Sequence, residues 1–344
     1  MKLNRMIYGL VFAAIFPAAT QAQEVVLKVA HFVPPTAPGH TKFISPWCDK
    51  VTAESQGKIK CQIYPAMQLG GTPQQLLTQV RDGVADVVWT LPGYTPGRFP
   101  ITEVFELPFM TMGQEGGSRA LWDFVQKNTL TNEFKGLQPI ATWVPGPYSL
   151  HLRDKEPKTM ADLKDMKIRS SSRLTTRLLA TLGASPVGMP VTQMAESLSK
   201  GVIDATMLPW EVVPATKVHE LTKVSVEFGG DYTMSTTTMI FVMNKKKYDS
   251  LSPELKKVID ANSGRETSAW VSAQLKTADA AGRQAVASHG NKIYQIPADE
   301  MAKWQAASKP VNEEWLKEVS AKGADGNKLL SDATVLVKQY AGKK

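Results

Sequence analysis

The residues that most often perform catalysis or bind metals are few in this chain and are poorly spaced for either task. The 344 residues include five histidines, His31, His40, His151, His219 and His289. None belongs to an H-E-x-x-H pair or to a cysteine–histidine ligand pattern. The sequence also lacks the nucleophile-elbow, phosphate-loop and dinucleotide-binding signatures. We therefore expect no catalytic residues, no metal site and no cofactor, and the sequence favours a binding protein over an enzyme.

The two cysteines, Cys48 and Cys61, allow one disulfide. Cys48 falls on a predicted helix and Cys61 on the strand that follows it, so a bridge between them is geometrically simple. No C-x-x-C motif accompanies them, which argues against a redox site. Two buried thiols that pack as small apolar side chains are the alternative. The bridge is favoured, because the N-terminal segment indicates export to a compartment that permits disulfides.

The N-terminal segment has the features of a secretory signal peptide. Lys2 and Arg5 precede an apolar run from Met6 to Ala19, and the residues up to Ala22 resemble a signal-peptidase site. A membrane anchor is the alternative, but the run is shorter than the about 20 residues that span a bilayer. We predict that residues 1–22 are removed and that the protein is released into the periplasm without stable membrane insertion.

Composition places the chain among ordinary globular proteins of about two domains, with 43% hydrophobic and 21% charged residues. The 40 lysines and arginines against 32 acidic residues give a formal charge of +8, part of which lies in the predicted signal peptide. The basic residues are scattered rather than clustered into a stripe, so we predict no nucleic-acid partner. A mildly basic surface is compatible with anionic ligands.

The elements that would position a binding site alternate between strands and helices. Val25–Ala30 reads as a buried strand, and helix, strand, helix and strand follow up to Thr90. This order predicts an α/β fold with parallel strands and a ligand near their carboxyl ends. Gly83 and Gly201, 118 positions apart, each end a predicted helix and are each followed by an aspartate three residues later. The repeat predicts two similar lobes with a ligand cleft between them.

A predicted helical stretch from Ser252 to about Ser288 is long enough to span both lobes. Ser252 as N-cap and Pro253 at the first helical position are good start signals. Two helices broken near Asn262–Gly264 are an equally good interpretation of the pattern. We assign residues 23–146 and 235–274 to lobe I and residues 147–234 and 275–344 to lobe II. Closure is then expected to bend the crossings near 145–147 and 229–235 and the long helix.

Six motifs, in order along the chain, resemble the substrate-binding proteins of tripartite ATP-independent periplasmic (TRAP) transporters, the DctP-like family. The motifs are Pro65–Gly70, Val80–Asp86, Leu107–Phe109, Asp162–Arg169, Met189–Asp204 and Asn244–Leu251. Asp165 departs from the pattern, because glycine is usual there. The resemblance covers essentially the whole mature chain. It implies a two-lobed periplasmic binding protein that closes on a small organic acid and delivers it to the membrane permease subunits.

The resemblance also implies which residues bind the ligand. It puts the family's carboxylate-binding arginine at Arg169, and a guanidinium can meet a carboxylate with two parallel, charge-assisted hydrogen bonds. The second arginine of sialic-acid-type members has no counterpart; Arg173 is a candidate replacement, and a solvated arginine at a helix start is the alternative. Further candidates are His31, Phe32, Trp89 and Tyr94 near the cleft edge of lobe I, and Trp143, Tyr148 and Trp210 near the cleft edge of lobe II.

The expected ligand is a partly apolar or aromatic monocarboxylate. Sialic-acid-type members carry Glu-Asn-Pro where this chain reads Met207-Leu208-Pro209, so an apolar side chain replaces an amide. The alternatives are a C4-dicarboxylate or a hydroxy or sugar acid bound by a receptor of the same family. An exported enzyme on the same fold is a less favoured alternative.

Overall fold

Two β-sheets organise the structure, which is a computed structural model that describes residues 24–342. The predicted signal peptide, residues 1–22, lies outside the described residues. The strands, numbered in chain order, are β1 (Val25–Ala30), β2 (Ile59–Tyr64), β3 (Val87–Thr90), β4 (Leu137–Trp143), β5 (Ser149–Leu152), β6 (Lys167–Ser170), β7 (Ser185–Gly188), β8 (Ala205–Leu208), β9 (Val224–Phe228), β10 (Met239–Asn244) and β11 (Lys292–Ile296). The first sheet has the order β2-β1-β3-β10-β4, and the second has the order β11-β9-β5-β8-β6-β7.

Both sheets combine parallel pairs with one antiparallel strand in their interior. In the first sheet β1 is parallel to β2 and β3, whereas β10 is antiparallel to β3 and β4. In the second sheet β6 is parallel to β7 and β8, whereas β5 is antiparallel to β8 and β9. The sequence pattern predicted only the parallel portions. We call the first sheet with its helices lobe I and the second sheet with its helices lobe II.

Helices cover both sheets. They are α1 (Ser45–Glu54), α2 (Leu76–Asp82), α3 (Gln114–Asn128), α4 (Arg173–Thr181), α5 (Met194–Ser199), α6 (Val213–Thr216), α7 (Val218–Leu221), α8 (Lys245–Ser250), α9 (Pro253–Ala261), α10 (Arg265–Lys276), α11 (Asp279–Ser288), α12 (Ala298–Ala321) and α13 (Gly326–Tyr340). A π-helical turn at Gly39–Ile44 leads into α1. Within residues 24–342, none of the helices combines the length and the apolar composition needed to cross a bilayer.

The repeated glycine–aspartate motif builds the same joint in both lobes. Gly83 ends α2 with φ +77° and Gly201 follows α5 with φ +71°, a left-handed backbone that glycine adopts without strain. The aspartate after each glycine then accepts a backbone hydrogen bond from the neighbouring parallel strand. Asp86 Oδ2 accepts from Lys28 N at 2.8 Å, and Asp204 Oδ2 accepts from Lys167 N at 2.9 Å. The sequence repeat is therefore a structural repeat.

The long helical stretch is divided, as the second interpretation of the pattern allowed. Helix α9 ends at Ala261, and Gly264, the N-cap of α10, has φ +112° and is not helical. The Gly264 N–H donates to Ile140 O of β4 at 2.9 Å. The buried Trp47 Nε1 donates to Asn262 O at 2.9 Å and so ties the break to α1. Beyond the break, α10 packs on α3 and β4 of lobe I, whereas α11 packs on residues 210–212 and α6 of lobe II. The pair α10–α11 therefore spans both lobes, with a joint at residues 277–278.

The chain passes between the lobes at three further places. The β4–β5 and β9–β10 connections run side by side, and Tyr148 N donates to Ser235 O at 3.1 Å. Helix α12 begins on lobe II, but Trp315 Nε1, near its end, donates to Pro100 O of lobe I at 2.8 Å. Helix α13 then packs on α3 of lobe I. The prediction that residues 275–344 belong to lobe II is therefore wrong for α13, because its buried face, which includes Leu329 and Ala333, covers lobe I.

Cys48 of α1 and Cys61 of β2 form a disulfide with a Cα–Cα distance of 5.8 Å. Strand β2 lies at the edge of the first sheet, so the bridge attaches this edge to the helix that covers it. A cross-link of this kind stabilises a fold mainly by restricting the unfolded chain. Neither cysteine lines the cavity described below, which is consistent with a structural role.

Candidate ligand-binding site

A cavity lies between the two lobes, at the carboxyl ends of β1, β3, β6 and β8. The space open to the centre of a water molecule is about 50 Å³, several times the roughly 10–15 Å³ that one water needs. Lobe I lines the cavity with residues that include Phe32, Trp89, Leu91 and Tyr94, and lobe II with residues that include Tyr148, Arg169, Ser171, Leu208 and Glu211. The position agrees with the general rule for ligands of open α/β sheets.

Arg169, on β6, supplies a buried positive charge to this cavity. Its side chain is only 1% exposed, and two of its N–H groups donate to backbone carbonyls, Nε to Met189 O at 3.0 Å and Nη1 to Met207 O at 3.3 Å. No carboxylate in residues 24–342 lies within 4.0 Å of the guanidinium to form an ion pair. Carbonyls orient the guanidinium without neutralising it, and a buried, unpaired charge is costly. The site is therefore suited to an anion.

Two tyrosine hydroxyls lie near this charge. Tyr94 Oη, from lobe I, accepts a hydrogen bond from Val191 N of lobe II at 3.1 Å. Ser171 Oγ donates to Tyr148 Oη at 3.5 Å. Burial raises the pKa of both tyrosines, and the positive charge of Arg169 only partly offsets it, so both hydroxyls keep their protons. Because each hydroxyl oxygen accepts these bonds, its own proton remains available for a ligand carboxylate.

Aromatic rings form the lobe I side of the cavity. The ring centroid of Phe32 lies 5.0 Å from that of Trp89 and 5.6 Å from that of Tyr94. Gly39 allows the following helix to approach this cluster, because a Cβ atom at that position would lie 2.2 Å from Trp89 Cη2. Aromatic pairs at such separations are favourable contacts. The result is a fixed aromatic surface against which a flat ring can pack.

Besides Arg169, the residues that line the cavity include a glutamate, Glu211. It is 4% exposed, and no protein group forms a hydrogen bond with its buried Oε2. Burial raises the pKa of Glu211 well above its usual value, and the nearby Asp279 raises it further. Asp279, the first residue of α11, accepts a hydrogen bond from the backbone N–H of Glu211. The raised pKa favours the neutral form of Glu211 and so weakens any compensation of the Arg169 charge.

Three aromatic candidates from the sequence do not line the cavity. His31 lies behind Trp89, with its Nε2 2.9 Å from His40 Nδ1, and burial lowers the pKa of His31 to about 3. Trp143 is fully buried in the core beside Trp89. The indole of Trp210 turns away, because its Nε1 donates to Glu227 Oε1 at 2.8 Å. Phe32, Tyr94 and Tyr148 do line the cavity, as does Trp89.

Arg173 is also outside the cavity, because two glutamates hold its guanidinium. It forms ion pairs with Glu103 and with Glu318 of α12. Glu103 lies in the 3₁₀ turn Thr102–Glu106, which packs on α3 of lobe I and on α4 of lobe II. Burial raises the pKa of the 3% exposed Glu103 despite the neighbouring Arg173. Arg173 is thus an ionic contact between the lobes rather than a replacement for a ligand-binding arginine.

Replacing Arg173 with glutamine should therefore favour the open form and weaken ligand binding. A partly buried ion pair of about 1 kcal/mol, lost from the closed form alone, would raise the dissociation constant about fivefold. Isothermal titration calorimetry would measure the change. Lys200→Gln is the control, because Lys200 pairs with Glu196 of α5 within lobe II and does not join the two lobes. Equal effects of both substitutions would contradict a specific role for the Arg173–Glu103 contact.

Glu211 and Ser171 also line the cavity, although no motif in the sequence indicated them. Both follow a strand that ends at the cavity, β8 and β6 respectively, so their position at a carboxyl end was a usable signal. The sequence pattern does not indicate that Glu211, which follows Trp210, is buried. Among residues 24–342 no group of three or more histidines, cysteines and acids is placed to hold a metal ion.

The chain matches a known protein family, and this match shows what kind of protein contains the cavity. The family DctP, described as "Bacterial extracellular solute-binding protein, family 7", matches residues 29–318. The chain belongs to this family. The resemblance to TRAP substrate-binding proteins is confirmed, and with it the two-lobed α/β fold and the role of a periplasmic solute receptor. The family consists of solute-binding proteins rather than enzymes.

Solved structures of this solute-binding family match the chain closely. A TRAP solute-binding protein from Rhodoferax ferrireducens T118, in complex with copurified benzoate, is 46% identical, with a TM-score of 0.90 over 92% of this chain and 98% of that one. A marine metagenome TRAP solute-binding protein specific for aromatic acid ligands, in complex with 3-hydroxybenzoate, is 44% identical, with a TM-score of 0.90 over 92% and 99%. The C4-dicarboxylate-binding periplasmic protein DctP of Rhodobacter capsulatus is 25% identical over 93% of this chain and 96% of that one.

Proposed function

We propose that this receptor binds an aromatic monocarboxylate in the cavity between its lobes and delivers it to the membrane permease subunits of a TRAP transporter. The observation that carries the proposal is a buried arginine without an acidic partner in a cavity lined by aromatic rings. Arg169 would bind the carboxylate through its planar fork, with Tyr94 and Tyr148 as further donors. Phe32 and Trp89 would pack against the ring.

The charges in the cavity argue for a single carboxylate. A C4-dicarboxylate brings two negative charges, and each would need a cation or several donors to leave water. Arg169 is one such cation, whereas Arg173 is already paired with Glu103 and Glu318. Glu211 also lines the cavity, and it would repel a second carboxylate if it lost its proton. A dicarboxylate is therefore the less favoured ligand.

The apolar lining argues against a sugar acid. Leu91, Val191, Leu208 and Met239 line the same cavity, and burying several ligand hydroxyls against such side chains leaves them without partners. The related receptors with benzoate and 3-hydroxybenzoate, 46% and 44% identical to this chain, support the aromatic class. Cleavage of residues 1–22 and release into the periplasm are part of the proposal.

A ligand panel tests the proposal with the mature chain, residues 23–344, after unfolding and refolding to remove copurified ligand. Benzoate is paired with benzamide, which has nearly the same shape but no charge, and with cyclohexanecarboxylate, which has the charge but a thicker ring. Benzoate at about 100 times its dissociation constant should stabilise the protein by about 2.7 kcal/mol, seen as a rise in Tm of several degrees. Benzamide should give no shift, and cyclohexanecarboxylate a smaller one.

Two outcomes would count against an aromatic monocarboxylate. Succinate or galactonate that binds more tightly than benzoate would indicate a different ligand class for the same receptor. Benzamide that binds as well as benzoate would show that Arg169 does not provide the main interaction. Chromatography of the ligand after incubation with the protein would detect any turnover. Turnover of a bound acid would support the alternative of an exported enzyme.

A further inference from the structure

Glu211 is a polar group that the proposed carboxylate and ring contacts do not use. It lines the cavity, it is nine-tenths buried, and its Oε2 has no hydrogen-bond partner in the protein. Native proteins rarely leave such groups unpaired, because the unsatisfied atom loses its hydrogen bonds to water without replacement. An unpaired carboxyl in a binding cavity therefore points to a partner on the ligand.

The surroundings of Glu211 restrict what that partner can be. Asp279 Oδ1 also lacks a donor, and Asp279 is held beside Glu211 by the backbone N–H of Glu211. A neutral Glu211 can direct its proton either to Asp279 or to the cavity. If it directs the proton to Asp279, its other oxygen remains an acceptor. A second carboxylate on the ligand would repel Asp279, whereas a hydroxyl group can donate or accept as required.

We infer that Glu211 is a specificity-determining residue that selects aromatic acids carrying a hydroxyl group on the ring. The inference rests on the proposed function, because the ligand carboxylate must be held at Arg169 for the ring hydroxyl to reach Glu211. Arg169 and Glu211 both line the cavity. One ligand bound there can therefore contact both residues.

The test compares ligand pairs of similar shape in which one member carries a hydroxyl group that can form hydrogen bonds and the other carries a fluorine that cannot donate one. Each of the three monohydroxybenzoates is paired with the fluorobenzoate of the same ring position, and dissociation constants are measured by isothermal titration calorimetry. The intact protein should bind at least one hydroxybenzoate about tenfold more tightly than its fluoro counterpart, or about 1.4 kcal/mol. In Glu211→Leu this ratio should fall to about one.

Three further variants keep the result interpretable. Glu211→Met removes the carboxyl with a more flexible side chain, in case the leucine variant folds poorly. Glu211→Gln keeps an acceptor oxygen and should retain part of the preference. Glu133→Gln is the matched control, because Glu133 is also buried but lies outside the cavity, where it accepts hydrogen bonds from Ile101 and Thr102. Its hydroxy-to-fluoro ratio should match that of the unmodified protein.

The outcomes separate this inference from the proposed function. Benzoate binding with equal affinities for every hydroxy and fluoro pair would overturn the role of Glu211 and leave the aromatic receptor intact. A preference that survives in both Glu211→Leu and Glu211→Met would also overturn it. Failure of all benzoates to bind would overturn the proposed function and the inference together.

Discussion

Replacing Arg169 with glutamine is expected to raise the dissociation constant for benzoate about 100-fold or more. Removing one partner of a buried, hydrogen-bonded charge pair costs about 2–5 kcal/mol, and each 1.4 kcal/mol corresponds to a factor of ten. The effect should be large here because no other cation lines the cavity wall among the described residues. Glutamine retains an amide donor for the carbonyl of Met189 or Met207, so the empty variant should keep its fold. Isothermal titration calorimetry gives the affinity, and thermal unfolding of the ligand-free variant gives its stability.

Arg169→Lys separates charge from geometry. Lysine keeps the positive charge but not the planar fork, so we expect an intermediate loss of affinity, about tenfold. Arg153→Gln is the control: Arg153 follows β5, whose last residue, Leu152, pairs with the first residue of β8 and so lies at the sheet edge away from the cavity. It should bind benzoate with unchanged affinity. Normal benzoate binding by a folded Arg169→Gln protein would refute the assignment of the carboxylate to this arginine.

The cavity could be located from the sequence more readily than its lining. Arg169, Tyr94 and Phe32 lie near or after the carboxyl ends of β6, β3 and β1, where a ligand of a parallel sheet is expected, whereas Tyr148 precedes the antiparallel strand β5. His31 and Phe32 are adjacent in the sequence, but Phe32 lines the cavity and His31 does not. Adjacent residues point to opposite sides of an extended chain, so a shift of one residue decides whether a ring meets ligand or core.

The other differences arise from partners that are distant in sequence. Arg173 is held by Glu103 and Glu318, which are 70 and 145 positions away, so no local pattern could assign it. The indole of Trp210 is fixed by Glu227 and by Arg283, whose guanidinium lies 5.1 Å from the ring centroid. The partner of such a polar side chain is determined by which segments the tertiary structure brings next to it. Local periodicity therefore predicts where such a residue lies but not what it contacts.

The fold itself was predictable where a local cause exists. The Gly83 and Gly201 joints need a left-handed residue, and glycine marks them in the sequence. Gly264 interrupts the path between α9 and α10 for a related reason, although a lone glycine inside a helical pattern is ambiguous in advance. The position of α13 was not predictable in this way. Its amphipathic pattern requires an apolar partner surface, which either lobe can supply, and only the packed structure shows that the partner is α3.

Closure of the two lobes also requires a small residue at position 93. Enlarging that residue is the second change for which we expect a large loss of ligand affinity. Gly93 lies in the 3₁₀ turn Pro92–Tyr94 that follows β3 of lobe I. A Cβ atom at Gly93 would lie 2.6 Å from Ser172 Cβ and 3.0 Å from Ser171 O, both in lobe II. Ser172 is the N-cap of α4, where its Oγ accepts from Thr175 N, so it cannot easily move aside. The lobes therefore meet here without room for a methyl group.

Gly93→Ala should consequently oppose closure without unfolding either lobe. Overpacking at a tight contact costs about 2 kcal/mol, and a ligand that requires the closed form would then bind about 30-fold more weakly. The open form does not contain the contact, so the Tm of the ligand-free protein should change little. Small-angle scattering should show that benzoate compacts the unmodified protein at concentrations at which the variant stays open. Saturating ligand should still close the variant.

Gly188→Ala is the matched control for this substitution. Gly188 lies in β7 of lobe II, and a Cβ atom there would meet nothing closer than Ser170 Oγ at 4.0 Å. It should bind benzoate normally and close normally. If Gly93→Ala also binds benzoate with full affinity, the contact between Gly93 and Ser172 is not part of the ligand-bound form. The ligand would then be held by lobes farther apart, and the cavity of about 50 Å³ would underestimate the space available to it.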